Sequence, residues 1–222
     1  MQHGKKKFDK EYFGIFFKKY DTSELSFYYR WFKGWINLLD NFLPLKKSRG
    51  KKVLEIGCAI GAFSKLLSER GFEVTATDIS GFIIEKASKL QKNVKFKILD
   101  IEKDIKLREK YDYIFAFEVL EHLNNPQKAL FNMKKLLKEN GILVFSTPVP
   151  TKQTLADPMH INLHPHNFWL SLGKKLHYKK LYLKDVSFIP YFYRFSSIFS
   201  IGFPLKINLP FVNNTTLYFF EN

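Results

Sequence analysis

Val53-Leu54-Glu55-Ile56-Gly57-Cys58-Ala59-Ile60-Gly61 reads as a short apolar strand running into a glycine turn that opens a helix. Glycine lets the backbone turn sharply and approach a ligand closely, and the following helix N-terminus presents unpaired N–H groups. Alone, such a turn is weak evidence. Its support is Asp78, 21 residues after Gly57 at the end of a second strand, where a carboxylate accepts hydrogen bonds from both hydroxyls of a ribose. Together they specify an adenosine-type cofactor. A dinucleotide fold would place a third glycine near position 62, where this chain has Ala62 and Phe63, so a nicotinamide dinucleotide is disfavoured.

Outward from the turn, strands alternate with helices. Strands are expected at Lys52 to Ile56, Phe72 to Thr77, Val94 to Leu99, Tyr111 to Phe117 and Ile142 to Ser146. Helices are expected at Ala62 to Arg70, Phe82 to Leu90 and Pro126 to Lys138, the last closed by Asn140-Gly141. This alternation predicts an α/β fold: a parallel sheet covered on both faces, with ligands bound beyond the carboxyl ends of the strands. After Pro150 come a His-rich loop (Asp157 to Asn167), a helix near Phe168 to His177, a strand near Lys180 to Phe188, an aromatic insertion and a last strand at Thr216 to Phe220. Before Gly50, aromatic residues at helical spacings predict two helices between Phe8 and Leu45, with Asp21-Thr22-Ser23-Glu24 as a cap between them. The organisation read from this is a helical cover over residues 1–50 and a cofactor-binding domain over 51–222, with an insertion at about 188–214.

From Lys51 to Asn167, in order and register, the chain resembles the class I S-adenosylmethionine-dependent methyltransferases. Glu55-Ile56-Gly57-Cys58-Ala59-Ile60-Gly61 looks like their glycine-rich first motif and Asp78-Ile79-Ser80 like the acidic ribose-binding second. Asp100-Ile101-Glu102 occupies the place of the adenine-contacting loop. Tyr111-Asp112-Tyr113 through Phe117-Glu118-Val119-Leu120-Glu121-His122-Leu123, and then Ser146-Thr147-Pro148, are similar to the ubiquinone-biosynthesis-like branch, which methylates small molecules. The resemblance implies S-adenosylmethionine as cofactor and a Rossmann-like, seven-stranded, mostly parallel sheet with its last strand antiparallel. It assigns cofactor contact to Glu55, Gly57, Cys58, Ala59, Gly61, Asp78, Ile79, Asp100, Ile101 and Glu118. Ala59 departs from the usual glycine, and its methyl takes room beside the methionine part of the cofactor.

Two histidines are the catalytic candidates. Relatives often carry an Asp-x-x-His segment in the loop over the substrate, matched here by Asp157-Pro158-Met159-His160, and a neutral imidazole can take a proton from the attacking group. His122 ends a Glu-x-x-Glu-His segment with Glu118 and Glu121 that some relatives use to hold a divalent cation. The favoured reading assigns no metal: Glu118 lines the cofactor pocket, while Glu121 and His122 begin the next helix. His160, His164 and His166 also suggest zinc, but Pro165 breaks the loop and removes a recognisable ligand spacing.

Composition bounds the rest. With 45% hydrophobic and 26% charged residues the chain reads as globular, and disordered, collagen-like and coiled-coil architectures are excluded. The single cysteine, Cys58, excludes an internal disulfide, and neither a secretory signal nor an apolar run of ~18 residues is present, so the expected location is cytoplasmic. The net charge is +15, distributed unevenly: 13 basic and 5 acidic residues in 1–52, 15 and 13 in 53–150, and 8 and 3 in 151–222. An excess confined to the terminal segments points to an anionic acceptor or carrier. The leading function is methyl transfer to a small-molecule, saccharide or lipid-linked acceptor. RNA methylation is the second reading and a non-catalytic adaptor the third; Phe117-Glu118-Val119-Leu120 lacks the Asn/Asp-Pro-Pro-aromatic segment of base amino methylation. The aromatic stretch Phe188 to Leu205 must be buried against something: the N-terminal helices as a lid, a second copy in a homodimer, or a membrane surface met together with Lys179, Lys180, Lys184, Arg194 and Lys206.

Overall fold

Val53, Phe115, Val144 and Phe219 alternate along their strands with Leu54, Ile114, Phe145 and Tyr218, and the two sets fall into two separate buried clusters. Successive strand side chains point to opposite faces, so each strand feeds two cores. The computed structural model describes residues 8, 10–19 (backbone only at 15–19), 25–105, 107–189, 200–207, 209 and 212–222. Its elements are α1 (Lys10–Lys19), α2 (Leu25–Leu39), β1 (Lys52–Ile56), α3 (Ala62–Glu69), β2 (Glu73–Asp78), α4 (Gly81–Leu90), β3 (Lys95–Ile98) and β4 (Tyr111–Phe117). These continue as α5 (Pro126–Leu136), β5 (Leu137–Ser146), α6 (Lys152–Leu155), α7 (His166–Lys175), β6 (Lys180–Phe188), β7 (Gly202–Phe203) and β8 (Asn213–Glu221). One sheet takes the order β3-β2-β1-β4-β5-β8-β6-β7. β1 to β5 are parallel, and β8 enters antiparallel between β5 and β6. Helices α2 and α3 cover one face around Trp35, Leu39, Phe63 and Leu67; α5 and α7 cover the other around Leu130, Met133 and Trp169.

The Rossmann-like expectation holds, with two corrections. The sheet has eight strands where seven were expected, because Gly202 and Phe203 fold back on Phe188 and Ser187 to add a short edge strand inside the insertion. The helix expected to reach Lys138 stops at Leu136, and β5 begins at Leu137, five residues before the expected Ile142. Leu137 is buried and pairs with Tyr111, and an irregularity in the ladder follows before Tyr113 meets Ile142. Leu137 therefore reads as strand by tertiary pairing, although its local pattern continues the helix.

The described flanks of the insertion sit on α2. Phe188 stacks on Trp35 at 4.8 Å and 17° and meets Trp31 at 5.2 Å. Ser200 Oγ accepts from Gly34 N–H at 3.0 Å and donates to the Trp31 carbonyl at 2.9 Å. Residues 190–199, which carry most of the aromatic stretch, and the expected cap at 21–24 lie outside the described residues. No helix among the described residues is long and apolar enough to cross a membrane.

Candidate active site

The glycine turn places Gly57 at φ +71°, Ala59 at φ +45° and Gly61 at φ +78°. A Cβ on Gly57 would stand 2.5 Å from Val119 Cγ2, so the bare backbone lets the loop after β4 come close. Ala59 carries its methyl in the left-handed region that glycine tolerates better. Asp78, at the end of β2, spans this turn: its carboxylate accepts from Ala59 N–H at 3.0 Å and from Ser80 N–H at 3.0 Å. Burial pushes the Asp78 carboxyl above its usual range, against the pull of those backbone donors.

Beyond the carboxyl ends of β1, β2 and β4 lies a cavity of about 530 Å³, a volume within the range of small-molecule sites. Glu55, Gly57, Cys58, Ala59, Asp78, Ile79, Asp100, Ile101 and Glu118 all border it, as does His122. Gly61 does not line it: with a Cβ only 2.8 Å from Phe96, it serves the packing of the turn. The far wall comes from Phe13, Tyr28, Phe32 and Trp35 of the two N-terminal helices, with Phe117 from β4. The four from the helices are among the helix-spaced aromatics expected to build the cover, but none was expected to line the site. The signal was present in the three-residue spacing of Phe32 and Trp35, which puts both on one face of α2.

Carboxyls dominate the polar wall. Glu55 is buried and accepts from Ser64 Oγ; desolvation lifts its pKa to about 8, and the negative Asp78 adds to the rise. Burial likewise pushes the Cys58 thiol up. Glu118 stands at φ +53°, opens onto the cavity and accepts from Ser146 Oγ at 2.6 Å. Desolvation raises its carboxyl as well. No Lys or Arg borders the cavity among the described residues, so the basic excess of the terminal segments does not line this site.

Behind Glu118, Glu121 and His122 lie in a single 3-10 turn, Leu120–His122, and do not begin α5, which starts at Pro126. The loop after α6 is tied to that turn, with Ile161 N–H and Asn162 N–H both donating to the Glu121 carbonyl at 2.9 and 3.0 Å. This brings His160 against His122 with ring centroids 5.1 Å apart. His122 Nδ1 faces the Met159 carbonyl at 2.9 Å and His160 Nδ1 faces the Thr154 carbonyl at 3.0 Å. A carbonyl only accepts, so in each neutral ring Nδ1 carries the proton and Nε2 keeps the lone pair. Glu121 is fully buried, and neither carboxyl oxygen finds a hydrogen-bond donor of good geometry among the described residues. Desolvation, reinforced by neighbouring Glu118, holds its carboxyl well above the ordinary value. Ligand atoms of Glu121, His122 and His160 all lie within 4.8 Å of one another. Glu118 is not in that trio, and His164, stacked on Phe168 at 3.6 Å, and His166, bonded to Tyr218 at 2.6 Å, are occupied elsewhere.

A family model described as a methyltransferase domain matches residues 28–190, well over half of the chain. Ubiquinone biosynthesis O-methyltransferase from Coxiella burnetii is 37% identical over 103 residues, covering 45% of this chain and 44% of that protein. The enzyme of the same description from Rickettsia akari is 35% identical over 108 residues, covering 47% and 43%. The chain thus spans less than half the length of these curated relatives. Among solved structures, a SAM-dependent methyltransferase from Archaeoglobus fulgidus superposes with a TM-score of 0.68 at 18% identity, covering 95% of this chain and 100% of that one. A TehB-like SAM-dependent methyltransferase from Corynebacterium glutamicum gives 0.56 at 19%, covering 84% and 86%. These two likenesses establish the fold, and the family match along most of the chain establishes descent: the chain belongs to the methyltransferase domain family.

Proposed function

We propose that the chain transfers a methyl group from S-adenosylmethionine to a small-molecule acceptor, with saccharide- and lipid-linked acceptors in the same class. The observation that carries this reading is the Asp78 carboxylate, fixed by Ala59 and Ser80 N–H groups on the wall of the cavity at the sheet's carboxyl edge. A carboxylate offers about four lone-pair sites, so after these two bonds it still has capacity for the hydroxyls of a ribose. Asp100 and Ile101 border the adenine side, and Glu55, the Gly57–Ala59 backbone and Glu118 border the methionine side. When bound, the cofactor supplies a sulfonium methyl that is already a good electrophile. The chain's own task is then to hold the nucleophile in line and keep water out, which the aromatic wall of Phe32, Trp35 and Phe117 does. The nucleophile's proton goes to an imidazole Nε2 of His160 or His122, whose tautomers the Thr154 and Met159 carbonyls fix. The relatives' description as O-methyltransferases supports oxygen as the accepting atom.

A second reading of the same corner has its own observation. The orphaned, buried Glu121 carboxyl and the two Nε2 atoms fit a divalent cation, held by Glu121, His122 and His160, which would lower the pKa of an acceptor hydroxyl. For the aromatic insertion, burial of Phe188 against Trp31 and Trp35 favours an intramolecular lid over a homodimer or membrane contact. The RNA reading draws no support from the cavity wall, where the described residues include no cation.

Titration calorimetry with S-adenosylhomocysteine tests the central assignment. Asp78→Ala should weaken binding by ~1.5 to 3 kcal/mol, the scale of hydrogen bonds to a charged group. Unchanged affinity in the variant removes the cofactor reading.

A further inference from the structure

The two edges of the sheet differ in the sign of the charge that predominates there, acidic at the cavity and basic at the opposite edge. The cavity edge carries Glu55, Asp78, Asp100, Glu102 and Glu118. At the other edge, where β1, β4 and β5 begin and α5 and α7 end, stand Lys47, Arg49 and Lys51 ahead of β1, Lys110 ahead of β4, and Lys174 and Lys175 closing α7. All six are exposed, and none forms an ion pair among the described residues. The acidic residues of this edge pair with other lysines: Glu73 and Glu109 with Lys52, Asp112 with Lys138, Glu139 with Lys179 and Glu221 with Lys180. Of the six, Lys51 also acts at longer range to lower the Asp112 carboxyl and lies over the Tyr113 ring at 5.3 Å, Lys110 donates to the Lys135 carbonyl, and Lys175 donates to Gln127 at 3.5 Å. Cations at a helix C-terminus complement the macrodipole, which accounts for Lys174 and Lys175. It does not account for Arg49, Lys51 and Lys110, which close no helix.

We infer that this edge docks on an anionic lipid bilayer, with the cavity turned away into water. Three features favour a bilayer over a nucleic acid. The cations come from strand and helix ends lying along one edge, from β1 across to β6, and do not line a groove. That row crosses five neighbouring strands, roughly 20 Å at the usual spacing, wide enough to meet several headgroups at once. Five of the six are lysines, point charges that suit mobile headgroups better than the fixed bidentate geometry arginine reads in a phosphate backbone. The docking rests on the small-molecule reading of the cavity, since a lipid-linked acceptor would need the cavity edge turned toward the bilayer.

The test uses the full chain and sedimentation with phosphatidylcholine vesicles, with and without phosphatidylserine. Binding is expected only with phosphatidylserine and should be lost at ~0.5 M salt, where the Debye length shortens to a few ångströms. Lys47→Glu/Arg49→Glu/Lys51→Glu should lower the partition coefficient by about 100-fold or more, from a few-fold for each lysine or arginine at a charged surface. Lys174→Glu/Lys175→Glu, on a different element of the same edge, should weaken it in the same direction. Lys97→Glu/Lys152→Glu/Lys184→Glu changes net charge equally but lies off this edge, and should leave binding within a few-fold of the parent; each variant's fold is checked by its affinity for S-adenosylhomocysteine. No binding to phosphatidylserine vesicles, an equal loss in the two triple variants, or retention of poly-uridylate without vesicle binding would each overturn the proposal.

Discussion

Gly57 shows how much of this site rests on one missing methyl. Its φ of +71° and the 2.5 Å separation between a built Cβ and Val119 Cγ2 impose two independent costs on any side chain. Left-handed backbone costs an alanine about 1–2 kcal/mol and local overpacking about 1–3 kcal/mol. Gly57→Ala should therefore destabilise the chain by roughly 2–5 kcal/mol in urea unfolding. Adding Val119→Ala removes the steric part only, so the double variant should recover a portion of the loss and leave the backbone part. Full recovery would show that φ carries no strain there; no recovery would show that Val119 is not the obstacle. Ala59, at φ +45°, demonstrates that the turn accepts a side chain in the left-handed region.

At the scale of elements, the loop after α6 is the device that assembles the histidine corner. The capping box of Thr151 and Thr154 sets the short helix Lys152–Leu155, which aims the Thr154 carbonyl at His160 Nδ1. Ile161, Asn162 and the Glu121 carbonyl then clamp the loop to the turn after β4. His160 lies against His122, which borders the cavity, and does not itself line the cavity where the cofactor is proposed to sit. His160→Ala should accordingly slow methyl transfer by ~100-fold or more while leaving S-adenosylhomocysteine affinity within about twofold, the split expected for a lost general base. Activity is read with a catechol as surrogate acceptor. Parent-like turnover would assign His160 to holding the loop, and a fall in cofactor affinity of the same size as the fall in rate would move it to the cofactor side.

For the molecule as a whole, gathering Glu55, Asp78, Glu118 and Glu121 at one edge makes stability depend on pH in an unusual direction. Each of these carboxyls is raised on folding, so the folded state holds protons that the unfolded chain has released. Their contribution is fully present below the unfolded carboxylate range and is lost as pH rises. For Glu55 the loss runs from its ordinary 4.5 up to about 8. Measured by urea unfolding at about pH 5 and about pH 8.5, the parent should lose up to about 4 kcal/mol more than Glu55→Gln, whose amide does not titrate. Parallel losses in the two proteins would mean that Glu55 is ionised in the fold at both pH values.

The cofactor half of this architecture was legible in the chain because its signals are local. A glycine turn, an acidic residue at a strand end and alternating strand and helix patterns each depend on backbone geometry that neighbouring residues impose. That was enough for the sheet, the edge where the cavity lies and the cavity positions of Glu55, Gly57, Asp78 and Glu118. Three things were decided only in three dimensions. Leu137 left its helix for β5 because pairing with Tyr111 outweighs a local helical pattern. His122, His160 and Glu121 met because a loop 37 residues further along closes on the turn after β4. Part of the charge that read as a terminal excess around the substrate, Lys47, Arg49, Lys51, Lys174 and Lys175, lies on the opposite edge, since parallel strands and their crossover helices carry strand starts and helix ends to the side away from the cavity. Local geometry is written in neighbouring residues, whereas the company a side chain keeps depends on which distant segments the sheet brings beside it.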